Sequence, residues 1–224
     1  MMVGTSLSWL TAAGGNYLDT ANTYHNGQSE EWIGEWAEAR GCREDIVIAT
    51  KYTSNTENGM AKEHPISVNR AGNSAKSMKL GIDNSLRRLR TDYVDVFYVH
   101  WWDWTTPVAE VMHALNRLVE SGKVLYLGIS DTPAWIVSKA NEYARAHGLA
   151  QFVIYQGKWN PAARDIERDL LPMSRAEGLA IAPWGVMGQG RFQRKADRGK
   201  SSAGRSALKL TEKEEKVVRL YFSC

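Results

Sequence analysis

The chain has 224 residues, 43% of them hydrophobic and 24% charged, enough for one sizeable core and a single domain over residues 1–224. Its 28 basic and 25 acidic side chains leave a net charge of +3, too small and too evenly spread to argue for a nucleic-acid partner. No run of about 18 apolar residues predicts a membrane span, the first residues lack the pattern of a secretion signal, and Cys42 and Cys224 lie outside any CxxC pair, as expected in a reduced, cytoplasmic setting.

Short β-branched or aromatic runs recur at residues 17–18, 46–49, 94–99, 124–129, 152–155 and 179–182. Most are continuously apolar, which suits parallel strands buried on both faces better than one-sided antiparallel ones. Helix patterns lie between them. Asn73 or Ser74 caps a helix with Met78, Ile82, Leu86 and Leu89 along one side. Pro107 opens a second, with Val111, Leu115 and Leu118 facing inward and Gly122 ending it. Pro133 opens a third and Gly148 stops it.

The last four strand runs begin near 94, 124, 152 and 179, the spacing of β-loop-α-loop units, so a parallel α/β sheet is expected. No GxGxxG follows the first strand, as an open dinucleotide-binding sheet would require; Gly185, Gly188 and Gly190 follow the last visible strand instead. Late phosphate loops belong to (β/α)8 barrels, and that fold is preferred. Six strands are countable where a closed barrel has eight. The polar stretch 193–209 reads as a mobile loop, and a short charged helix is expected over 211–220.

Polar residues stand where such strands end: Asp19, Lys51, His100, Ser130 with Asp131, and Gln156. Taken singly, an Asp after a strand is as often a helix cap, a lone His is more often structural, and a Lys reaches solvent. Together, with Tyr24, they form a set suited to proton transfer at the mouth of a barrel. A free phenol ionises near pH ~10. A neighbouring ammonium is expected to lower that value, while a carboxylate holds the ammonium charged and oriented. His25, His64, His100, His113 and His147 make no metal-ligand spacing, and neither GxSxG nor a P-loop is present.

At these residues the sequence resembles the aldo-keto reductases, in particular the fungal aryl-alcohol dehydrogenase and norsolorinic acid reductase-like branch. The resemblance rests on Asp19-Thr20-Ala21-Asn22-Thr23-Tyr24, Ser29-Glu30-Glu31-Trp32-Ile33-Gly34, Ile48-Ala49-Thr50-Lys51, Tyr98-Val99-His100-Trp101-Trp102-Asp103, Gly128-Ile129-Ser130-Asp131-Thr132-Pro133, Tyr155-Gln156-Gly157-Lys158-Trp159-Asn160 and Ala182-Pro183-Trp184. It covers roughly residues 12–192. It implies a (β/α)8 TIM barrel that uses NADP to reduce aldehydes or ketones reversibly, in secondary metabolism or aryl-alcohol chemistry. By the same resemblance Tyr24 is the proton donor, Lys51 and Asp19 tune it, and His100 orients the carbonyl. Ser130, Asp131 and Gln156 grip the nicotinamide carboxamide and Trp184 stacks on the ring. Gly185, Met187, Gly188, Gly190 and Arg191 face the pyrophosphate. Many relatives have Asn where Asp131 stands; an Asp accepts from the amide but cannot donate to it.

Trp101, Trp102 and Trp159 are expected to line a pocket for flat aromatic or polyketide-like substrates. A full-length relative has further strands at both ends, and the chain is expected to be truncated relative to it. A six-stranded sheet leaves edges through which it could form an oligomer. The alternative function is a non-catalytic reductase-like protein acting through a partner. No metal is expected.

Overall fold

The computed structural model describes residues 7–8, 11–55, 68–188 and 192, and divides into two compact units, residues 1–155 and 156–224. The expected loop 193–209, the expected helix 211–220, Gly190 and Arg191 lie outside the described residues.

In the first unit β1 (Tyr17–Asp19), β2 (Val47–Tyr52), β3 (Val94–Val99) and β4 (Val124–Ser130) alternate with α1 (Gln28–Arg40), α2 (Ala75–Leu89), α3 (Val108–Glu120) and α4 (Ala134–His147). β5 (Phe152–Lys158) follows, and the second unit contains α5 (Leu170–Glu177) and β6 (Ala180–Trp184). The first three pairings are parallel, with Leu18 opposite Ile48, Lys51 opposite Tyr98, and Val99 opposite Ile129. Order in the sheet is chain order, β1 to β6. A doubly wound sheet reverses its strand order at a switch point. A barrel keeps every strand beside its sequence neighbours. The order therefore decides for the (β/α)8 fold, with six of its strands among the described residues.

β2, β3 and the second half of β4 are buried on both faces, whereas β1 and β6 keep exposed positions. Ile48, Ala49, Phe97, Val99, Leu127 and Ile129 are at most 1% exposed. One close approach depends on glycine: a Cβ at Gly128 would fall 2.4 Å from the Tyr98 ring on the adjacent strand. The missing side chain makes room for Tyr98 beside Lys51, whose Nζ lies 5.6 Å from that ring's centroid.

The helix boundaries follow the local signals. Ser74 caps α2, its hydroxyl accepting from the Ser77 N–H at 3.3 Å. Pro107 and Pro133 precede α3 and α4, and Gly148 ends α4 at φ +64°. Three strands run further than their apolar cores. Ser130 ends β4 as expected, while β2 and β5 run past Lys51 and Gln156 to Tyr52 and Lys158. The β2–β3 ladder continues through Lys51↔Tyr98 and Tyr52↔Val99, which holds Lys51 inside the sheet.

Candidate active site

The centre of the first unit's polar cluster is Lys51, whose side chain is wholly buried. Its ammonium donates to Asp19 Oδ2 at 2.8 Å and to the Thr20 carbonyl at 2.7 Å. Burial pushes the Lys51 pKa below the ordinary lysine value; Asp19, Asp131 and Glu30 act against that push. The residues after β1 fold back over β2, with Thr20 N–H on the Ala49 carbonyl and Asn22 N–H on the Lys51 carbonyl at 2.9 and 3.1 Å. That return brings Tyr24 to the start of a 3-10 turn (Tyr24–Gly27) in which His25 and Asn26 take left-handed backbone angles.

The Tyr24 ring lies against Lys51, Nζ 5.1 Å from its centroid, and edge-on to His100 with centroids 6.1 Å apart. The four residues Asp19, Tyr24, Lys51 and His100, drawn from three strand ends, are thus brought together. The charges differ from expectation. Tyr24 is held above the ordinary phenol value by burial first, then by Asp19 and Asp131. The physical reason is that the Lys51 ammonium is directed at Asp19 and Thr20, so its charge is matched before it reaches the phenol. A phenol so placed stays protonated at neutral pH, the state a proton donor needs.

His100 is pushed down to about 4 by burial and by Lys51, against the opposing pull of Asp19. It is a neutral imidazole at pH 7, and its buried Nδ1 has no hydrogen-bond partner among the described residues. Its backbone N–H donates to Thr53 Oγ1 at 3.3 Å.

Thr53 belongs to a clasp that sequence reasoning missed. Asn73, fully buried, donates from Nδ2 to Thr53 Oγ1 and to the Trp101 carbonyl, both at 3.0 Å. Its backbone N–H donates to Asp103 Oδ2 at 2.7 Å, and Asn73 Oδ1 accepts from Asp103 N–H at 2.8 Å. Asp103 also accepts from the Thr105 and Thr106 N–H groups and the Thr106 hydroxyl. Burial pushes its carboxyl up, but these bonds outweigh it and leave the group below the usual carboxylate range. The clasp joins the segments after β2 and β3, and so fixes the backbone on which His100 stands. Only the helix-cap signal at Asn73-Ser74 was legible locally.

The tryptophans beyond His100 have separate fates. Trp101 is half-exposed at 39% and donates to Ser54 Oγ at 3.0 Å, whereas Trp102 is buried at 6%. Trp104 and Trp135 are exposed and stand 6.1 Å apart between centroids. Ser130 is buried and Asp131 exposed at φ +39°, a left-handed angle that Asp tolerates. The Tyr155 hydroxyl holds this turn, donating to the Thr132 carbonyl at 3.0 Å and facing the Thr132 N–H at 3.3 Å. Tyr155 was also missed, because it reads as one more apolar strand residue.

In the second unit Gln156 is buried in β5. The Trp184 carbonyl accepts from Trp159 N–H at 3.2 Å, and the Gly185 carbonyl accepts from Asn160 Nδ2 at 3.0 Å. Lys158 Nζ stands 5.7 Å from the Trp184 ring centroid. The Trp159 indole donates to Glu167 at 2.9 Å. Gly185 and Gly188 both have positive φ and close a tight turn, Gly188 N–H on the Gly185 carbonyl at 2.8 Å, with Met187 exposed. Among the described residues no three His, Cys, Asp or Glu side chains cluster as metal ligands, and no helix is long and apolar enough to cross a membrane.

The sequence profile of the aldo/keto reductase family matches residues 7–222. The chain belongs to the aldo/keto reductase family. The match runs beyond the 12–192 span of the sequence motifs at both ends. Among aldo/keto reductases, the chain is 55% identical over 192 residues to norsolorinic acid reductase B of Dothistroma septosporum, covering 86% of this chain and 48% of that protein. It is 53% identical over 212 residues to norsolorinic acid reductase B of Aspergillus parasiticus, covering 92% and 55%. With an aryl-alcohol dehydrogenase (NADP+) of Phanerodontia chrysosporium it shares 51% identity over 217 residues, covering 92% and 56%. The chain thus spans about half the length of the curated relatives it matches.

Proposed function

We propose that this chain carries the proton-transfer apparatus of an NADP-dependent reductase that converts aldehydes or ketones, aromatic or polyketide-like, reversibly to alcohols. One observation carries the reading: a buried Lys51, bonded to Asp19, lies against the Tyr24 ring, which is edge-on to His100. When bound, NADPH would supply the hydride for such a reduction. Tyr24 gives its hydroxyl proton to the carbonyl oxygen as negative charge develops there, with the Lys51 ammonium 5.1 Å from the centroid of the ring that is left negative. His100, neutral at working pH, hydrogen-bonds the carbonyl oxygen and orients it. Asp19 keeps Lys51 charged in a site whose burial favours the free amine.

Two features fit such a cofactor: the unpartnered buried Nδ1 of His100, and the glycine turn at 185–188, whose backbone an anion can approach closely. Ser130, Asp131 and Gln156 would take the carboxamide, Trp184 the nicotinamide ring, and Gly185, Met187 and Gly188, with Gly190 and Arg191, the pyrophosphate. Trp101 and Trp159 offer aromatic surface to a flat substrate. The name of one relative, an aryl-alcohol dehydrogenase (NADP+), supports the NADP reading and an aromatic substrate, and that of another, norsolorinic acid reductase B, supports a reductase.

The test is NADPH oxidation followed with benzaldehyde-type and short aliphatic aldehydes. Faster turnover of the aromatic set is expected; equal or faster aliphatic turnover removes the aromatic assignment. The non-catalytic reading finds its support in β1, which among the described residues stands first in the sheet with one neighbouring strand. A stable oligomer or complex without turnover, seen by light scattering, would favour that reading.

A further inference from the structure

Glu30 is the one carboxylate among the described residues that is completely buried, and the reaction outlined above makes no use of it. It stands in the first turn of α1. One oxygen accepts from the Thr50 hydroxyl at 2.6 Å, the other from Arg88 Nη1 on α2 at 3.3 Å. The Arg88 guanidinium is itself nearly buried and also reaches the Asn22 carbonyl at 3.5 Å. Its path crosses Gly27, where a Cβ would fall 2.7 Å from Arg88 Cζ and where φ is +91°. The chain has left that space to the arginine.

A buried ion pair is a poor stability device, since apolar residues of similar volume usually do as well. The placement of this one points elsewhere. Thr50 precedes Lys51 on β2, and successive strand side chains face opposite sides of the sheet. Glu30 therefore grips the outer face of the strand whose inner face presents Lys51. Asn22, which Arg88 holds by its carbonyl, is bonded through its N–H to the Lys51 carbonyl and lies two residues before Tyr24. Thr20, whose carbonyl receives Lys51, bonds through its hydroxyl to Ser29 Oγ at 2.8 Å, one residue before Glu30. The network touches both the strand of Lys51 and the turn of Tyr24.

We propose that Glu30, paired with Arg88, is a positioning residue of the proton-transfer site, which secures the charge of Lys51 from behind β2 and fixes the turn that carries Tyr24. This rests on the reading of Tyr24 and Lys51 as the proton-transfer pair. The groups that act on Lys51 are Asp19 from β1, Tyr24 after it, Tyr98 and His100 from β3 and its end, Asp131 after β4 and, from the far side of β2, Glu30 of α1. Those facing Glu30 are Thr50, Arg88, Ser85 and, across the strand, Lys51. Glu30 acts to raise the Lys51 pKa against burial. Glu30→Gln removes that influence and leaves Arg88 as an uncompensated positive charge, so Lys51 should release its proton at lower pH. Burial pushes the Glu30 carboxyl up and Arg88 pulls it down; in the alkaline range where Lys51 is titrated, Arg88→Met should leave the carboxylate unopposed and move Lys51 the other way.

The experiment is an NMR titration of the Lys51 Nζ signal in 15N-lysine-labelled chain, assigned by its loss in Lys51→Met. The midpoint in Glu30→Gln should fall, by less than the roughly one pH unit that a charge in direct contact gives because Glu30 acts from across the strand, and that in Arg88→Met should rise. Unmoved midpoints in the folded variants overturn the proposal, and Arg88→Met alone decides it if Glu30→Gln does not fold. In NADPH oxidation the alkaline limb of kcat should shift with the midpoint while KM for the carbonyl stays put; a uniform loss of rate with an unmoved limb indicates a structural role and also overturns it. A moving midpoint in a chain that reduces no carbonyl sinks the proposed reaction and keeps the inference. Full turnover with a fixed midpoint does the reverse.

Discussion

Replacing His100 by glutamine should flatten the chain's loss of stability in mild acid. His100 titrates at about 4 in the folded chain against an ordinary value of 6.5. As pH falls from 6.5 toward 4, the unfolded chain takes up a proton at this site while the folded one does not, so folding is penalised across that window. Below 4 both states are protonated and the penalty is constant; above 6.5 both are neutral and it vanishes. The separation of the two values is worth about 3 kcal/mol at its full extent, of which about 2.5 is present at pH ~4.5. Urea unfolding of wild type and His100→Gln at a series of pH values between ~7.5 and ~4.5 measures it. The wild type should lose about 2 to 3 kcal/mol more than the variant over that range. Parallel curves would refute the claim that a neutral, buried imidazole faces the Tyr24 ring, and with it the role given to His100 in orienting a carbonyl.

Asp19→Asn should destabilise the chain by about 2 kcal/mol in urea at pH 7; that is below the usual cost of breaking a buried pair because Asp19 is a third exposed. A change under about 0.5 kcal/mol would mean that Lys51 is neutral in the folded state. Gly128→Ala should cost about 1 to 3 kcal/mol, because the added methyl meets the Tyr98 ring at 2.4 Å. It should also lower turnover, since Tyr98 borders Lys51. An unchanged melting temperature would show that the two strands part without penalty.

What the sequence made legible was whatever repeats locally. Parallel strands buried on both faces announce themselves as continuous apolar runs, and polar residues closing such runs at 19, 51 and 100 marked the mouth of the fold. α1 was not legible as a helix. Its buried face is Glu30, Ile33, Gly34, Trp36 and Ala37, and a charged residue and a glycine in that stripe erase the apolar period. The Asn73–Asp103 clasp and the Glu30–Arg88 pair join residues 30 and 58 positions apart, and no local pattern records such contacts. The tryptophans show the same limit: neighbours in sequence, Trp101 half-exposed and Trp102 buried, differ by which face of the chain meets the core. The ionisation of Tyr24 was misjudged because proximity of Lys51 was legible but the direction of its hydrogen bonds was not.

The most direct test of the account is Tyr24→Phe, with NADPH binding followed by tryptophan quenching and turnover by NADPH oxidation with an aromatic aldehyde. Removing one hydroxyl leaves the ring that packs against Lys51 and His100, so cofactor binding should change by less than about threefold, well under 1 kcal/mol. Turnover should fall by about a hundredfold or more, the usual contribution of a positioned proton donor. A variant that binds NADPH and still reduces the aldehyde at the wild-type rate would contradict the assignment of Tyr24 as that donor.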